Sequence, residues 1–272
     1  MSKPIIYQLF PRYFANYNET RAYNGSKEEN GCGRFADINK RALKSIVDLG
    51  ATHVWYTGII RHATAQYNNP AITKGKAGSP YAITDYYDVD PDLAKNESKR
   101  MQEFESLVKR THEAGLGVLI DFVPNHVARE YKSVCKPEGV EDLGENDHPE
   151  WAFSPLNNFY YLPGERFTMD KDLQGYEEFP AKVTGNDCFT SHPSENDWYE
   201  TVKLNYGVFY QGGREKQFDP IPSTWTKMRD IILFWAGKGI DGVRVDMAEM
   251  VPVEFFQWAI AAVKKKHKKF LF

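Results

Sequence analysis

Apolar runs and segments of helical spacing alternate along most of the chain. Short apolar runs predict strands, and apolar residues three and four positions apart predict helices. The predicted strands are residues 4–10, 52–59, 117–123 and 240–246, with a fifth beginning at 270–272. The predicted helices are residues 38–50, 96–115, 223–239 and 252–269. Strands separated by helices are typical of βαβ units, which build a parallel sheet with right-handed crossovers.

One long interval, residues 128–213, lacks this alternation. It holds turn residues, aromatic side chains and acids, without a long helical period. A compact domain rarely carries so long an irregular loop, so we predict an inserted subdomain here, after the third strand. Residues 1–127 and 214–272 are predicted to form the α/β body.

Two architectures fit this body: a doubly wound open sheet, or about the first five strands of a (β/α)8 barrel. A doubly wound nucleotide-binding sheet is expected to carry a glycine-rich turn after a strand, and none follows the first three predicted strands. A barrel carries its functional side chains where the strands end. Asn125 and His126 follow the third strand, and Arg244 and Asp246 close the fourth, which favours the barrel.

Composition excludes several function classes. The net charge of −3 over 272 residues gives no electrostatic reason to expect nucleic acid or an anionic membrane as partner. The three cysteines are widely spaced and form no CxxC pair, which argues against a disulfide framework or a zinc site. No stretch reaches membrane-spanning length, and the N-terminus shows no signal peptide, so a cytoplasmic location is predicted over secretion.

Aromatic residues make up 14% of the chain, and many lie in polar, turn-rich stretches. Such rings serve as contact surfaces for the flat faces of ligands such as sugars, or they pin long loops to the body. The pattern alone leaves both interpretations open.

The segment "DFVPNH", residues 121–126, ends an apolar strand in a carboxylate. Burying Asp121 there is costly unless it has a partner. Asn125 and His126 follow at the predicted rim, and a neutral imidazole can recognise hydroxyl groups because it both donates and accepts hydrogen bonds. The alternative is a capped strand end with a surface histidine.

The segment "DGVRVD", residues 241–246, brings a cation and a carboxylate together. Alternation along a strand puts Arg244 and Asp246 on one face. We expect Arg244 to lower the pKa of Asp246 and so to keep it ionised. An oriented carboxylate can act as a nucleophile or stabilise a cationic transition state. The alternative is a structural ion pair.

Together these segments resemble the α-amylase family, glycoside hydrolase family 13, over residues 5–272. "IIYQLFPRYF" is similar to the family's first strand and its loop, and "YAITDYYDVDPDL" (81–93) is similar to its segment after the second strand. "DFVPNH" and "GVRVDMAEM" match its first conserved region and its nucleophile region. "VKLNYG" (202–207) resembles the short region that ends the inserted domain.

The resemblance implies a role for each matching residue. Asp246 is expected to be the nucleophile, with Arg244 holding and ionising it. His126 is expected to bind hydroxyl groups of the sugar at the cleaved bond, and Tyr81 to stack on that ring. The implied substrate is an α-glucan or maltooligosaccharide.

Two further matches concern support and metal binding. Asp121 is expected to be structural. Asn125 occupies a position where some members bind calcium through oxygen, so calcium is a possible but not required cofactor. The family's Lys-His pair after the nucleophile is replaced here by Glu249 and Met250, which weakens any carry-over of long-starch preference. We expect Glu249 to be a rim or capping carboxylate.

A retaining glycosidase needs a second carboxyl group as general acid. The resemblance puts that glutamate directly after the fifth strand, inside which the chain ends at "KKFLF". We therefore expect the acid to lie beyond Phe272, in the rest of a longer polypeptide that completes the barrel, and the isolated chain to be inactive. The sequence leaves three functions open: hydrolysis of α-1,4 bonds, transglycosylation, or sugar binding by an inactive fragment.

Overall fold

A computed structural model describes residues 3–272 of the chain. Its strands, β1 to β12 in chain order, are Ile6–Leu9, His53–Tyr56, Ile60–His62, Ile83–Val89, Gly117–Phe122, His126–Ala128, Tyr161–Leu162, Ala181–Lys182, Thr201–Lys203, Val208–Phe209, Glu215–Lys216 and Gly242–Val245. Its α-helices, α1 to α5, are Lys27–Asn30, Lys40–Asp48, Arg100–Glu113, Ser223–Gly237 and Val253–Lys266. Within this part of the chain, none of the helices has the length and apolar character needed to cross a lipid bilayer.

A parallel sheet forms the centre of the fold, as predicted. Its strands lie in the order β1, β2, β5 and β12. These are the four strands predicted from the sequence, and each one pairs with the next predicted strand. An isolated parallel bridge joins Gly242 to Leu271 at the outer edge of β12. The presence of a full fifth strand stays a prediction.

The helices pack on the sheet through the faces that their spacing predicts. In α3, Phe104, Leu107 and Val108 are buried at helical spacing. The Phe104 ring meets Trp235 of α4 edge-on, with ring centroids 5.7 Å apart. The Trp235 indole N–H donates to the Tyr86 carbonyl at 2.8 Å, so its one polar group is satisfied inside the core. Each large buried side chain contributes about 1.5–3 kcal/mol to stability.

Strand β4 has no counterpart in the sequence prediction. It pairs antiparallel with β3, and every one of its residues from Ile83 to Val89 is buried. The aspartates of β4 make the segment look exposed in the sequence. A carboxylate is buried only when it has binding partners, and here those partners lie far along the chain. Asp88 binds both Arg61 and Arg100, and Asp85 accepts from two backbone N–H groups of the segment after β6.

Residues 128–213, all of which are described, contain no α-helix. Short antiparallel pairs lie within this interval or reach just beyond its ends. β6 pairs with β9, β7 with β8, and β10 with β11. A separate apolar cluster lies largely inside this interval and consists of Ile72, Tyr160, Leu162, Phe167, Met169, Ala181, Val183 and Tyr199. The bounds of the inserted subdomain stay a prediction.

Candidate active site

Arg244 and Asp246 meet at the carboxyl end of β12. Arg244 is the register partner of Asp121 on β5, and the Asp246 N–H donates to the Phe122 carbonyl at 2.8 Å. Strand pairing therefore fixes the backbone on both sides of the pair. Arg244 Nη1 lies 2.7 Å from Asp246 Oδ1, which forms the predicted ion pair.

Asp121 is held from three directions. Its Oδ2 accepts from the Gly58 N–H at 2.9 Å, and its Oδ1 accepts from the Trp55 indole N–H at 3.1 Å. Arg244 Nη1 lies 3.5 Å from the same Oδ1. The guanidinium thus bridges two buried carboxylates, Asp121 and Asp246.

Two aromatic rings flank the Arg244 guanidinium. Its Cζ lies 5.2 Å from the centre of the Trp55 ring and 5.7 Å from that of Tyr81. Both distances fall within the range of cation–π attraction. Tyr81 thus lies beside the Arg244–Asp246 pair, and a sugar that stacks on its ring would lie next to the carboxylate.

Arg244 lowers the pKa of Asp246, as expected, but its effect is smaller than that of burial, so the net pKa is not lowered. Burial raises the pKa of Asp246 above its ordinary value, and the charge and hydrogen bond of Arg244 only partly oppose this. The physical reason is that Asp246 loses its hydration, whereas Arg244 stays partly in solvent, with 37% of its side chain exposed. Burial likewise raises the pKa of Asp121 to about 6.

Replacing Trp55 by phenylalanine is expected to raise the pKa of Asp121 further, by roughly one pH unit, because the lost indole N–H stabilises the carboxylate form. A ¹³C NMR titration of the Asp121 carboxyl measures this directly. Trp235→Phe is the control, since it removes an indole hydrogen bond to a different acceptor, the Tyr86 carbonyl. An unchanged Asp121 pKa in Trp55→Phe would contradict the prediction.

His126 is held neutral at the start of β6. Burial and the charge of Lys203 lower its pKa to about 3. The imidazole can therefore donate from one nitrogen and accept at the other near neutral pH. The Trp198 ring meets it edge-on, with centroids 5.3 Å apart, and helps to fix its orientation.

The surroundings of Asn125 do not fit the calcium ion considered for this position. Asn125 Oδ1 accepts from Lys203 Nζ at 2.8 Å, and the same ammonium lies 2.5 Å from Asp187 Oδ1. The oxygens that would face a metal thus already face a buried cation. The Asn125 amide nitrogen donates to the Gly185 carbonyl at 2.7 Å, which ties this side chain to the irregular interval.

Glu249 lies outside the Arg244–Asp246 pair. It is exposed, in the short 3₁₀ helix Ala248–Met250 that follows Met247, a residue with a φ of +46°. Burial, and to a smaller extent the charge of Glu249, raise the pKa of Asp246. Within residues 3–272, Glu249 forms no ion pair with an arginine or lysine, since Arg244 binds Asp121 and Asp246 instead. This is in keeping with the expected rim position.

Sequence reasoning missed two residues of this region, Trp55 and Lys203. In "HVWY" the alternation places Trp55 on the face opposite the buried Val54 and Tyr56, so it could have been assigned to the face that carries Asp121. Lys203 also alternates with buried apolar neighbours, but its partners Asn125 and Asp187 become visible only in three dimensions.

A family model described as alpha amylase, catalytic domain, matches residues 8–269. The chain belongs to the α-amylase family. The catalytic domain of this family is a (β/α)8 barrel, which agrees with the parallel sheet and its intervening helices.

Members of the α-amylase family similar to this chain include hydrolases and transferases. Maltase 1 of Drosophila virilis is 24% identical over 89% of this chain and 31% of its own length. An alpha-1,4-glucan:maltose-1-phosphate maltosyltransferase of Cereibacter sphaeroides is 26% identical over 93% of this chain and 34% of its own length. The chain therefore spans about a third of the length of these curated relatives.

Solved structures give the same family. An α-amylase from Lactobacillus plantarum is 26% identical with a TM-score of 0.60, and the match covers 98% of this chain and 44% of that one. The cyclic alpha-maltosyl-(1→6)-maltose hydrolase of Arthrobacter globiformis, in complex with maltose, shares the fold at 20% identity with a TM-score of 0.61, over 98% of this chain and 49% of its own.

Proposed function

We propose that this chain supplies the nucleophile, Asp246, of a retaining enzyme that acts on α-1,4-glucosidic bonds of maltooligosaccharides or starch-like substrates. The observation that carries the proposal is the pairing of Asp246 with Arg244 at 2.7 Å, beside Tyr81, at the end of a parallel strand in an α-amylase family domain.

In the first step, an Asp246 oxygen forms a bond to the anomeric carbon while the bond to the leaving oxygen breaks and that oxygen gains a proton from a general acid. In the second step, the acid group, now a base, takes a proton from water or from a sugar hydroxyl, whose oxygen displaces Asp246. Asp246 must be ionised to attack. Arg244 offsets part of the pKa rise that burial causes and holds one oxygen, which leaves the other to react.

Substrate contacts come from His126 and Tyr81 in this proposal. His126 Nδ1 accepts from the Asn125 amide nitrogen at 3.1 Å, so Nε2 of the neutral imidazole carries the proton and donates to a sugar hydroxyl without adding charge. The Tyr81 ring, beside Arg244, supports the apolar face of the sugar that is attacked.

We propose that the general acid is a glutamate outside these 272 residues. Asp121 is engaged by Gly58, Trp55 and Arg244, which suits a supporting carboxylate. Glu249 is exposed and three residues from Asp246 along the chain, which suits the rim.

Transglycosylation remains the second candidate, because the relatives include a maltosyltransferase as well as maltases. Both reactions pass through the same intermediate on Asp246. They differ only in whether water or a sugar hydroxyl takes the glucosyl unit.

The test uses 5-fluoro-α-glucosyl fluoride, whose fluoride leaves without protonation and so needs no general acid. We expect a covalent adduct in which the anomeric carbon is bonded to Asp246 and fluoride is released, detected by mass spectrometry of the peptide that contains residues 241–250. Glu249→Gln is the matched control and should still be labelled. A label on another residue would refute Asp246 as nucleophile.

A further inference from the structure

Trp55 lies next to Asp121 and Arg244 on one face of the parallel sheet. On β2 it is the register partner of Leu119 on β5, and Leu119 is adjacent to Gly242 on β12. Asp121 and Arg244 pair with each other two residues further along these two strands. Side chains two residues apart on a strand point to the same face. Trp55 therefore lies one row of side chains behind the site.

The Trp55 indole contacts its two neighbours in different ways. Its N–H donates to Asp121 Oδ1 at 3.1 Å, and its ring centre lies 5.2 Å from Arg244 Cζ, within the range of cation–π attraction. Arg244 Nη1 lies 3.5 Å from the same Asp121 oxygen. Each of the three side chains is thus in contact with the other two, so a displacement of the guanidinium disturbs two contacts at once.

The position of the guanidinium decides how much of Asp246 is free to react. Arg244 Nη1 binds Asp246 Oδ1 at 2.7 Å, and the described residues show no second hydrogen bond between these two side chains. Arginine and carboxylate groups frequently pair through two parallel hydrogen bonds, which would occupy both carboxylate oxygens. Because the Arg244 side chain is long and partly exposed, it needs further contacts to stay bound to one oxygen only.

The contacts of Trp55 differ from those of a tryptophan that only fills the core. Trp235 is such a core residue, and its indole N–H donates to the Tyr86 backbone carbonyl. Trp55 is only partly buried, donates to a side-chain carboxylate of the site and places its ring against the cation of the site. Both of its contacts thus act on groups that surround Asp246.

We propose that Trp55 is a positioning residue for the attack by Asp246: it holds Asp121 and Arg244 so that Arg244 binds one oxygen of Asp246 and leaves the other free. The proposal rests on the proposed function. It places the effect of Trp55 on the formation of the glycosyl–enzyme bond and not on the affinity for the sugar.

The experiment measures the rate of fluoride release in a single turnover of the full-length protein with 5-fluoro-α-glucosyl fluoride. Trp55→Phe keeps a ring but removes the N–H, and it is expected to lower the limiting rate roughly 10-fold. Trp55→Leu removes both contacts and is expected to lower it roughly 30- to 100-fold. The half-saturating reagent concentration should stay within about 2-fold in both variants, since neither changes a sugar contact. Trp235→Phe is the control and should keep the original rate.

The pH dependence of the same rate separates positioning from general loosening of the fold. This reagent needs no general acid, so the acid limb of its rate profile reports the ionisation of Asp246. Burial raises the pKa of Asp246, and Arg244 partly offsets this. A loosely held Arg244 offsets it less, so the acid limb is expected to move to higher pH in Trp55→Leu.

An unchanged limiting rate and acid limb in both Trp55 variants would overturn the proposal. A higher half-saturating concentration at an unchanged limiting rate would also overturn it, since Trp55 would then act on sugar binding, and so would an equal loss in Trp235→Phe. Circular dichroism checks folding; if Trp55→Leu does not fold, the rate and acid limb of Trp55→Phe decide. Failure of the proposed function looks different, because the unsubstituted protein would then form no adduct at Asp246.

Discussion

Turnover of a chromogenic maltooligosaccharide by the full-length protein is expected to fall by roughly 10⁴-fold or more when Asp246 is replaced by asparagine. The amide keeps the shape of the carboxylate and can still accept from Arg244 Nη1, so the fold is expected to persist. It cannot form the glycosyl–enzyme bond. Steady-state kcat/KM, with circular dichroism as a check of folding, measures the effect.

The control for this substitution is Glu249→Gln, which removes a nearby but exposed carboxylate. Its kcat/KM is expected to stay within a few-fold of the original value. Comparable losses of kcat/KM in the two variants would contradict the prediction, because they would indicate that activity depends on negative charge in this region and not on a nucleophile at Asp246.

Replacement of Lys203 by methionine is expected to lower the free energy of unfolding by about 1–3 kcal/mol, the usual cost of leaving a buried hydrogen-bonding group without its partner. Lys203 is 2% exposed; its ammonium donates to Asn125 Oδ1 at 2.8 Å and lies 2.5 Å from Asp187 Oδ1, whose side chain is 33% exposed. Methionine fills the space but leaves a carboxylate and an amide oxygen without a donor. Urea unfolding followed by tryptophan fluorescence measures the change.

Two comparisons make this prediction specific. Lys44→Met breaks the exposed pair with Asp48 and should cost far less, since surface pairs contribute little. Adding Asp187→Asn to Lys203→Met should restore part of the loss by removing the unpaired charge.

Because an ammonium faces the Asn125 oxygen, a chelator such as EDTA should leave the unfolding midpoint of the original protein unchanged; a clear decrease would point to a bound metal ion.

Local sequence patterns predicted the strands of the parallel sheet and the helices between them. The runs at 117–123 and 240–246 are apolar because strands of a parallel sheet are covered on both faces, and β5 and β12 appear there. The same patterns predicted that Arg244 and Asp246 share a face, and the 2.7 Å contact agrees with this.

Local sequence patterns could not predict which charged groups are buried. Asp85 and Asp88 make β4 look like a loop, since the arginines and backbone N–H groups that satisfy them lie elsewhere in the chain. The sequence shows Arg244, which lowers the pKa of Asp246 as expected, but it does not show the burial of Asp246, which raises that pKa by more. The missed strand and the raised pKa have one origin, because desolvation depends on every surrounding residue.

The register between β5 and β12 has a consequence for how this protein can diverge. Asp121 and Arg244 are partners on adjacent strands although 123 positions separate them. The entropy of closing a loop grows only with the logarithm of its length, about 0.6 kcal/mol for each doubling. Insertions in the irregular part of this interval therefore cost little, provided that they leave α4 and the β6–β9 pair intact. The surroundings of Asn125 and His126 can thus change during evolution, while the pairing of β5 with β12 keeps Arg244 and Asp246 in place.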